Sequence, residues 1–90
     1  MSTVYTVNIM EKFNLDKIIG ERMQEVRLEH DDSQTNLAYI LGFESPTAVS
    51  LIESGQRSLK IRDLIILCQL YRKDYSYFIG KPDDYKDKKL

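Results

Sequence analysis

The sequence is poor in the residues on which most catalytic and covalent chemistry depends. Its 90 residues contain one cysteine, one histidine and no tryptophan. A lone cysteine, Cys68, cannot form an intrachain disulfide, which favours a reducing, cytoplasmic setting. The lone histidine, His30, excludes paired-histidine sites, and the sequence shows neither metal-ligand spacing nor a glycine-rich phosphate loop. We therefore expect a protein that is not an enzyme and that uses no cofactor or metal.

Long apolar runs and an excess of either charge are also missing. No run approaches the roughly 20 apolar residues of a membrane-spanning helix, and residues 1–10 lack the basic stretch and apolar block of a signal peptide. The sequence has 13 Lys and Arg residues and 14 Asp and Glu residues, so its formal net charge is −1. A DNA-binding chain with this charge must concentrate its cations in a local patch. The 42% of hydrophobic residues suffices for one modest core.

Helical periodicity, interrupted by capping residues, predicts an all-α fold with five helices. Asn14 is predicted to be the N-cap of a first helix that runs to about Glu29. Ser33 can cap a second helix of about eight residues, and Gly42 supplies its stop. The segment 30–32 between these two helices is polar and is predicted to be a loop.

Three further helices are predicted downstream. A serine followed by a proline at positions 45 and 46 begins the third helix, since proline is favoured at the first helical position, and Gly55 ends it. Residues 60–71 form the fourth helix, and Asp74 can cap a short fifth over residues 75–79. Apolar residues recur at core spacing in the first four helices: Leu15, Ile18, Ile19, Met23, Val26, Leu37, Ala38, Leu41, Ala48, Val49, Ile52, Leu64, Leu67, Cys68 and Tyr71.

The domain organisation follows from where this periodicity begins and ends. Residues 14–80 are predicted to form one domain. Residues 1–13 are expected to form an N-terminal arm, with the β-prone stretch 3–7 either an added edge strand or a frayed terminus. Residues 81–90 are charged and are expected to form a solvated tail.

A more specific pattern runs through the second and third predicted helices. It is Ser33-Gln34-x-x-Leu37-Ala38-x-x-x-Gly42, followed by Val49-x-x-Ile52-Glu53-x-Gly55. With Gly20-Glu21-Arg22-Met23 upstream and residues 74–78 downstream, this pattern resembles the Cro/phage-repressor (XRE) family of helix-turn-helix proteins. The resemblance covers roughly residues 20–79. It implies a compact, lambda-repressor-like domain that inserts the helix at 45–54 into the major groove of duplex DNA.

The resemblance also implies roles for individual residues. Base edges would be contacted from the exposed side of the third helix, by Pro46, Thr47, Ser50 and Leu51. Phosphates would be bound by residues at helix ends and in the following connection, namely Ser33, Gln34, Ser45, Ser54, Arg57, Lys60 and Arg62. Arg27 and Glu53 match a partly buried ion pair that ties the first helix to the end of the third. Simpler interpretations stay open: Gln34 and the basic cluster as solvated polar residues, and Leu51 as an ordinary exposed leucine.

Three departures from the family pattern bear on function. The stretch from Gly42 to Gly55 is one residue longer than the commonest family spacing, with the extra residue in the turn at 43–46. The exposed side of the third helix has no Arg, Lys, Asn or Gln, so it lacks bidentate base contacts. Glu44 adds an acidic charge near the expected phosphates. These departures leave open an alternative function as a protein-interaction module, such as an antitoxin or accessory regulator, which the aromatic residues at 71, 75, 77 and 78 also favour.

The resemblance predicts a transcriptional regulator, in particular a repressor of a phage or mobile-element type. Three phosphate contacts would give a plot of log binding constant against log salt concentration with a slope of about −2.7 per protomer. Because that contribution is modest, a homodimer is expected. Its two recognition helices would enter successive major grooves about 34–36 Å apart.

Overall fold

The computed structural model describes residues 14–81 and residue 85, and over this part of the chain it contains five α-helices and no strand. They are α1 (Leu15–Glu29), α2 (Gln34–Leu41), α3 (Pro46–Glu53), α4 (Ile61–Tyr71) and α5 (Tyr75–Ile79). The prediction of an all-α, five-helix fold is confirmed. The N-terminal arm or strand predicted for residues 1–13, and most of the predicted tail at 81–90, lie outside the described residues. None of the described helices combines the length and apolarity needed to cross a membrane.

The boundaries of α1 and α2 are set by local capping. The Asn14 side chain accepts a hydrogen bond from the backbone N–H of Lys17 at 3.2 Å, and Ser33 Oγ accepts one from the N–H of Asn36 at 2.9 Å. Each bond satisfies a backbone donor that has no partner within its helix. Gly42 ends α2 with φ 78°, a left-handed conformation that glycine adopts without steric cost. Short polar residues and one glycine thus fix both ends of α2.

One hydrophobic core holds the five helices together. Its members come from every helix and are Met23, Val26, Leu37, Ala38, Leu41, Val49, Ile52, Leu64, Leu67, Tyr71 and Phe78. Phe78, from the short α5, is fully buried, so even the last helix is anchored by a large side chain. The sequence placed Leu15 on the inner face of α1, but its side chain is 42% exposed because the first turn lies over a surface groove rather than the core. Cys68, also expected inside, is half-buried at the edge of the core.

Gly20 permits an unusually close approach of α1 to α3. A Cβ atom at this position would lie 2.1 Å from the carbonyl oxygen of Ile52 and 2.8 Å from that of Glu53. Both atoms belong to the backbone of α3 and cannot move aside as a flexible side chain would. The absence of a side chain at Gly20 therefore sets the distance between α1 and α3.

Candidate nucleic-acid interface

Helices α2 and α3 and the turn between them form the candidate interface. The backbone N–H of Phe43 donates to the carbonyl of Ala38 at 2.8 Å, and this bond caps the C-terminal end of α2 after Gly42. Ser45 occupies the N-cap position of α3 without a side-chain cap bond, and Pro46 begins the helix. Helix α3 directs Ala48, Val49 and Ile52 inward, so its opposite side remains available to a ligand.

The four predicted base-contacting residues fall into two groups. Pro46, Thr47 and Ser50 are exposed on α3, as a base contact requires. Leu51 is half-buried and lines a surface cavity beside the helix. Its apolar side chain is therefore partly covered by the protein itself.

That cavity, which we call the basic cavity, has a volume of about 520 Å³ and lies between the start of α3 and the connection to α4. Its lining includes Phe43, Glu44, Ser45, Thr47, Leu51, Arg57, Lys60, Arg62 and Asp63. The structure therefore brings six predicted site residues to one concave surface, three from α3 and its N-cap and three from the basic cluster. Ser33, Gln34, Pro46, Ser50 and Ser54 are not among its lining residues.

The cations of the basic cavity differ in their partners. Arg62 Nη1 lies 3.4 Å from Oδ1 of the buried Asp63. Within residues 14–81, no hydrogen bond or ion pair engages the side chain of Arg57 or Lys60. The guanidinium carbon of Arg57 lies 5.3 Å from the centroid of the Phe43 ring. Arg57 and Lys60 consequently keep all of their side-chain N–H donors for an anion.

Arg27 and Glu53 form a buried, two-pronged ion pair. Arg27 Nε donates to Glu53 Oε2 at 2.6 Å and Nη2 donates to Oε1 at 3.1 Å, with side chains only 8% and 3% exposed. The remaining nitrogen, Nη1, donates to the carbonyl of Asp32 at 2.8 Å. The hydrogen bond with Glu53 raises the pKa of the Arg27 guanidinium above its ordinary value. This pair joins α1, the loop before α2 and the end of α3.

Three predicted phosphate ligands already have partners within the protein. Gln34 Nε2 donates to Glu53 Oε1 at 3.1 Å, Ser33 Oγ accepts the cap bond at α2, and Ser54 Oγ donates to the carbonyl of Leu51 at 3.1 Å. The Gln34 amide thereby extends the Arg27–Glu53 pair to α2. Contact of these three residues with phosphate stays a prediction.

Sequence reasoning missed the role of Asp32, which it placed in a polar loop. Tyr71 O–H donates to Asp32 Oδ2 and Asn36 Nδ2 donates to Oδ1, each at 2.9 Å. Burial and the hydrogen bond to Asp32 raise the pKa of Tyr71 above its ordinary value. Tyr71 is 39 positions away along the chain, and no local pattern identifies such a partner. Together with the Arg27 bond to its carbonyl, these contacts fix the residue that precedes the cap of α2.

Comparison with known proteins gives one match. A helix-turn-helix family model matches residues 23–78, which begin within α1 and end in α5 and make up more than half of the chain. No curated protein and no solved structure matches this chain. The matched region contains α2, α3, the basic cavity and the Arg27–Glu53 pair. The chain belongs to the helix-turn-helix proteins of the Cro/phage-repressor (XRE) type, and it is a DNA-binding transcriptional regulator.

Proposed function

We propose that this protein is a sequence-specific repressor of a phage or mobile-element type, which acts by occupying an operator close to a promoter. Residues 14–80 would be its DNA-binding domain. The observation that carries the proposal is the basic cavity, where the unpaired cations Arg57 and Lys60 lie beside Thr47 at the exposed start of α3. A hydroxyl of this kind can contact base edges while neighbouring cations bind phosphates.

The proposed contacts divide into those that give specificity and those that give affinity. Pro46, Thr47, Ser50 and Leu51 would meet the bases, through hydroxyl hydrogen bonds and apolar contact with thymine methyl groups. Arg57, Lys60 and Arg62 would supply the main phosphate contacts, and Ser33, Gln34, Ser45 and Ser54 would add contacts at the helix ends. Since α3 offers no long polar side chain on its exposed side, most of the affinity would come from outside that helix.

Selection of bound duplexes from a random pool, followed by a salt series on the selected sequence, tests this proposal. Thr47→Ala is expected to change the sequence preference. Arg57→Ala is expected to weaken binding to all sequences alike and to reduce the salt slope by about 0.9 per protomer. Arg22→Ala removes an equal charge outside the basic cavity, from a cation paired with Glu25, and serves as the control. Absence of association with any duplex at about 50 mM salt would refute DNA binding by this surface.

The proposed homodimer has a candidate contact surface in an apolar groove of about 310 Å³. Its lining residues are Leu15, Ile19, Leu59, Ile61, Leu64, Ile65, Tyr75 and Ile79. Ile61 is 75% exposed and Tyr75 is 55% exposed, and exposed apolar surface of this kind marks interaction sites. Helix α1, the connection to α4, α4 and α5 all contribute to the groove.

A second copy of this chain is the occupant that best fits the position of the groove. Leu59 and Ile61 line the groove, whereas Lys60 and Arg62, which alternate with them, line the basic cavity. A copy bound in the groove about a two-fold axis would therefore carry a basic cavity on each side of the contact, as two operator half-sites require. The same groove on both copies gives a closed dimer.

The test is the oligomeric state measured by analytical ultracentrifugation, with and without operator DNA. Ile61→Asp is expected to convert the dimer to a monomer and to weaken operator binding. Leu28→Asp changes an exposed leucine outside the groove and should leave the dimer intact. A wild-type protein that stays monomeric at high concentration, both free and on DNA, would contradict the dimer. It would also favour the alternative of a protein-interaction module that binds a different partner through this groove.

A further inference from the structure

The contact between Phe43 and Arg57 joins a fixed ring to a long, exposed cation. Phe43 is half-buried against the core, and its backbone N–H is bonded to the carbonyl of Ala38. Both its side chain and its backbone are therefore held by the body of the protein. Arg57 is exposed on the connection after α3, with its guanidinium carbon 5.3 Å from the ring centroid. This distance lies within the range of a cation–π interaction.

We propose that Phe43 is a positioning residue that holds Arg57 ready for a phosphate of bound DNA, an inference that rests on the proposed function. A cation–π contact brings a ring and not a hydrogen-bond acceptor to the guanidinium, so it leaves the N–H donors without a hydrogen-bond partner. No hydrogen bond within residues 14–81 takes those donors. The contact with Phe43 would thus order the Arg57 side chain in the free protein without consuming the groups that bind phosphate. Ordering before binding reduces the entropy lost when the contact forms.

The composition of the site explains why one ordered arginine matters here. Helix α3 lacks long polar side chains on its exposed side, so long donors must come from the connection. Lys60 lines the same cavity but has no aromatic ring within contact distance among the described residues, which makes it an internal control. The family resemblance also places the one extra residue of this sequence in the turn that carries Phe43.

Affinity measurements in a double-mutant cycle test the proposal. The free energy of an exposed cation–π contact corresponds to a change in the dissociation constant of about two- to fivefold. Two such contacts in a dimer correspond to about four- to 25-fold. Phe43→Leu keeps an apolar side chain but removes the ring, and should weaken operator binding by this factor. This loss of affinity should be the same when Phe43→Leu is made in a Lys60→Ala background, and it should fall below about twofold in an Arg57→Ala background. Phe43→Tyr, which keeps an aromatic ring, should retain the affinity of the wild-type protein. An equal loss in both backgrounds, or no loss at all, would overturn the proposal.

The cation–π contact between Phe43 and Arg57 can also be measured in the free protein by NMR. The side-chain protons of Arg57 should show an upfield ring-current shift that Phe43→Leu removes and Phe43→Tyr retains. If wild-type protein binds DNA normally but lacks this shift, the positioning role fails while the proposed function stands. If the shift is present but no duplex binds, the proposed function fails, and the positioning role fails with it.

Discussion

Replacing Glu53 by glutamine is expected to destabilise the domain severely, because it leaves the Arg27 guanidinium buried without a counter-charge. The two side chains are 8% and 3% exposed, so water cannot replace the lost carboxylate. Breaking a buried pair in this way costs about 3–5 kcal/mol. Domains of this size have a free energy of unfolding of about 5–15 kcal/mol, and each kcal/mol changes the Tm by about 4–8 °C. We therefore expect the Tm to fall by at least about 12 °C.

Arg27→Met should cost at least as much, for a reason visible in the hydrogen bonds. It leaves the Glu53 carboxylate with Gln34 as a donor, and it also removes the donor to the carbonyl of Asp32. The double variant Arg27→Met/Glu53→Leu buries no charge, so it should be more stable than either single variant. The non-additivity measures the coupling between the two residues.

Urea denaturation followed by circular dichroism at 25 °C gives the required free energies. Glu21→Gln makes the same chemical change at an exposed carboxylate of α1 and should alter stability by no more than about 0.5 kcal/mol. A loss below about 1 kcal/mol for Glu53→Gln would refute the reasoning, since the pair would then behave as a solvated one. A double variant less stable than both single variants would refute it as well.

Three further predictions concern stability. Gly20→Ala should lower the free energy of unfolding, measured in a thermal melt, by about 1–3 kcal/mol, because the added Cβ would overlap backbone oxygens of α3. An increase in stability, as alanine gives in an ordinary helix, would contradict the close approach of α1 to α3. Ser33→Ala should lower the free energy of unfolding by about 1 kcal/mol, whereas Ser45→Ala, which removes no cap bond, should lower it by less than half of that. Equal losses would contradict the role of the Ser33 side chain as a helix cap. The Tyr77 hydroxyl donates to a Glu25 carboxylate oxygen at 3.1 Å, and burial and this hydrogen bond raise the pKa of Tyr77 from 10.0 to about 12. The protonated hydroxyl therefore stabilises the folded state below pH 10, and this stabilisation is lost as the pH rises to about 12. Tyr77→Phe should therefore be less stable by about 0.5–1 kcal/mol at pH 8, and urea titrations should show this difference closing at alkaline pH.

The sequence predicted the helices well because their boundaries depend on neighbours along the chain. Asn14, Ser33 and Gly42 act within one turn of their own positions, so their roles can be inferred from residue type and spacing. Asp32 could not be interpreted in this way, since its carboxylate is bound by Tyr71 from α4. Periodicity placed Leu15 on the apolar face of α1, but it carries no information on what covers that face.

The candidate site was predictable to a similar extent. The family resemblance predicted six residues of the basic cavity as DNA contacts, namely Ser45, Thr47, Leu51, Arg57, Lys60 and Arg62, and their grouping on one surface follows from the fold. The bond from Gln34 to Glu53 was not foreseen, because it depends on the distance between α2 and the end of α3. The Phe43 ring beneath Arg57 was missed for the same reason, since the two residues are adjacent only after the turn and the connection have folded.

The connection before α4 makes chain length a constraint shared by two surfaces. Lys60 is extended, with φ −75° and ψ 150°, and side chains alternate between opposite sides of extended backbone. Leu59 lines the groove and Lys60 the basic cavity, whereas Ile61 and Arg62 are held in place by the first turn of α4, so adding or deleting one residue here would move Leu59 or Lys60 away from the surface it lines. Such a change would disturb the border that the two surfaces share, so we expect a one-residue insertion before Lys60 to impair both the groove and the basic cavity. The turn between α2 and α3 borders the basic cavity but not the groove, so a change in its length would affect one surface only.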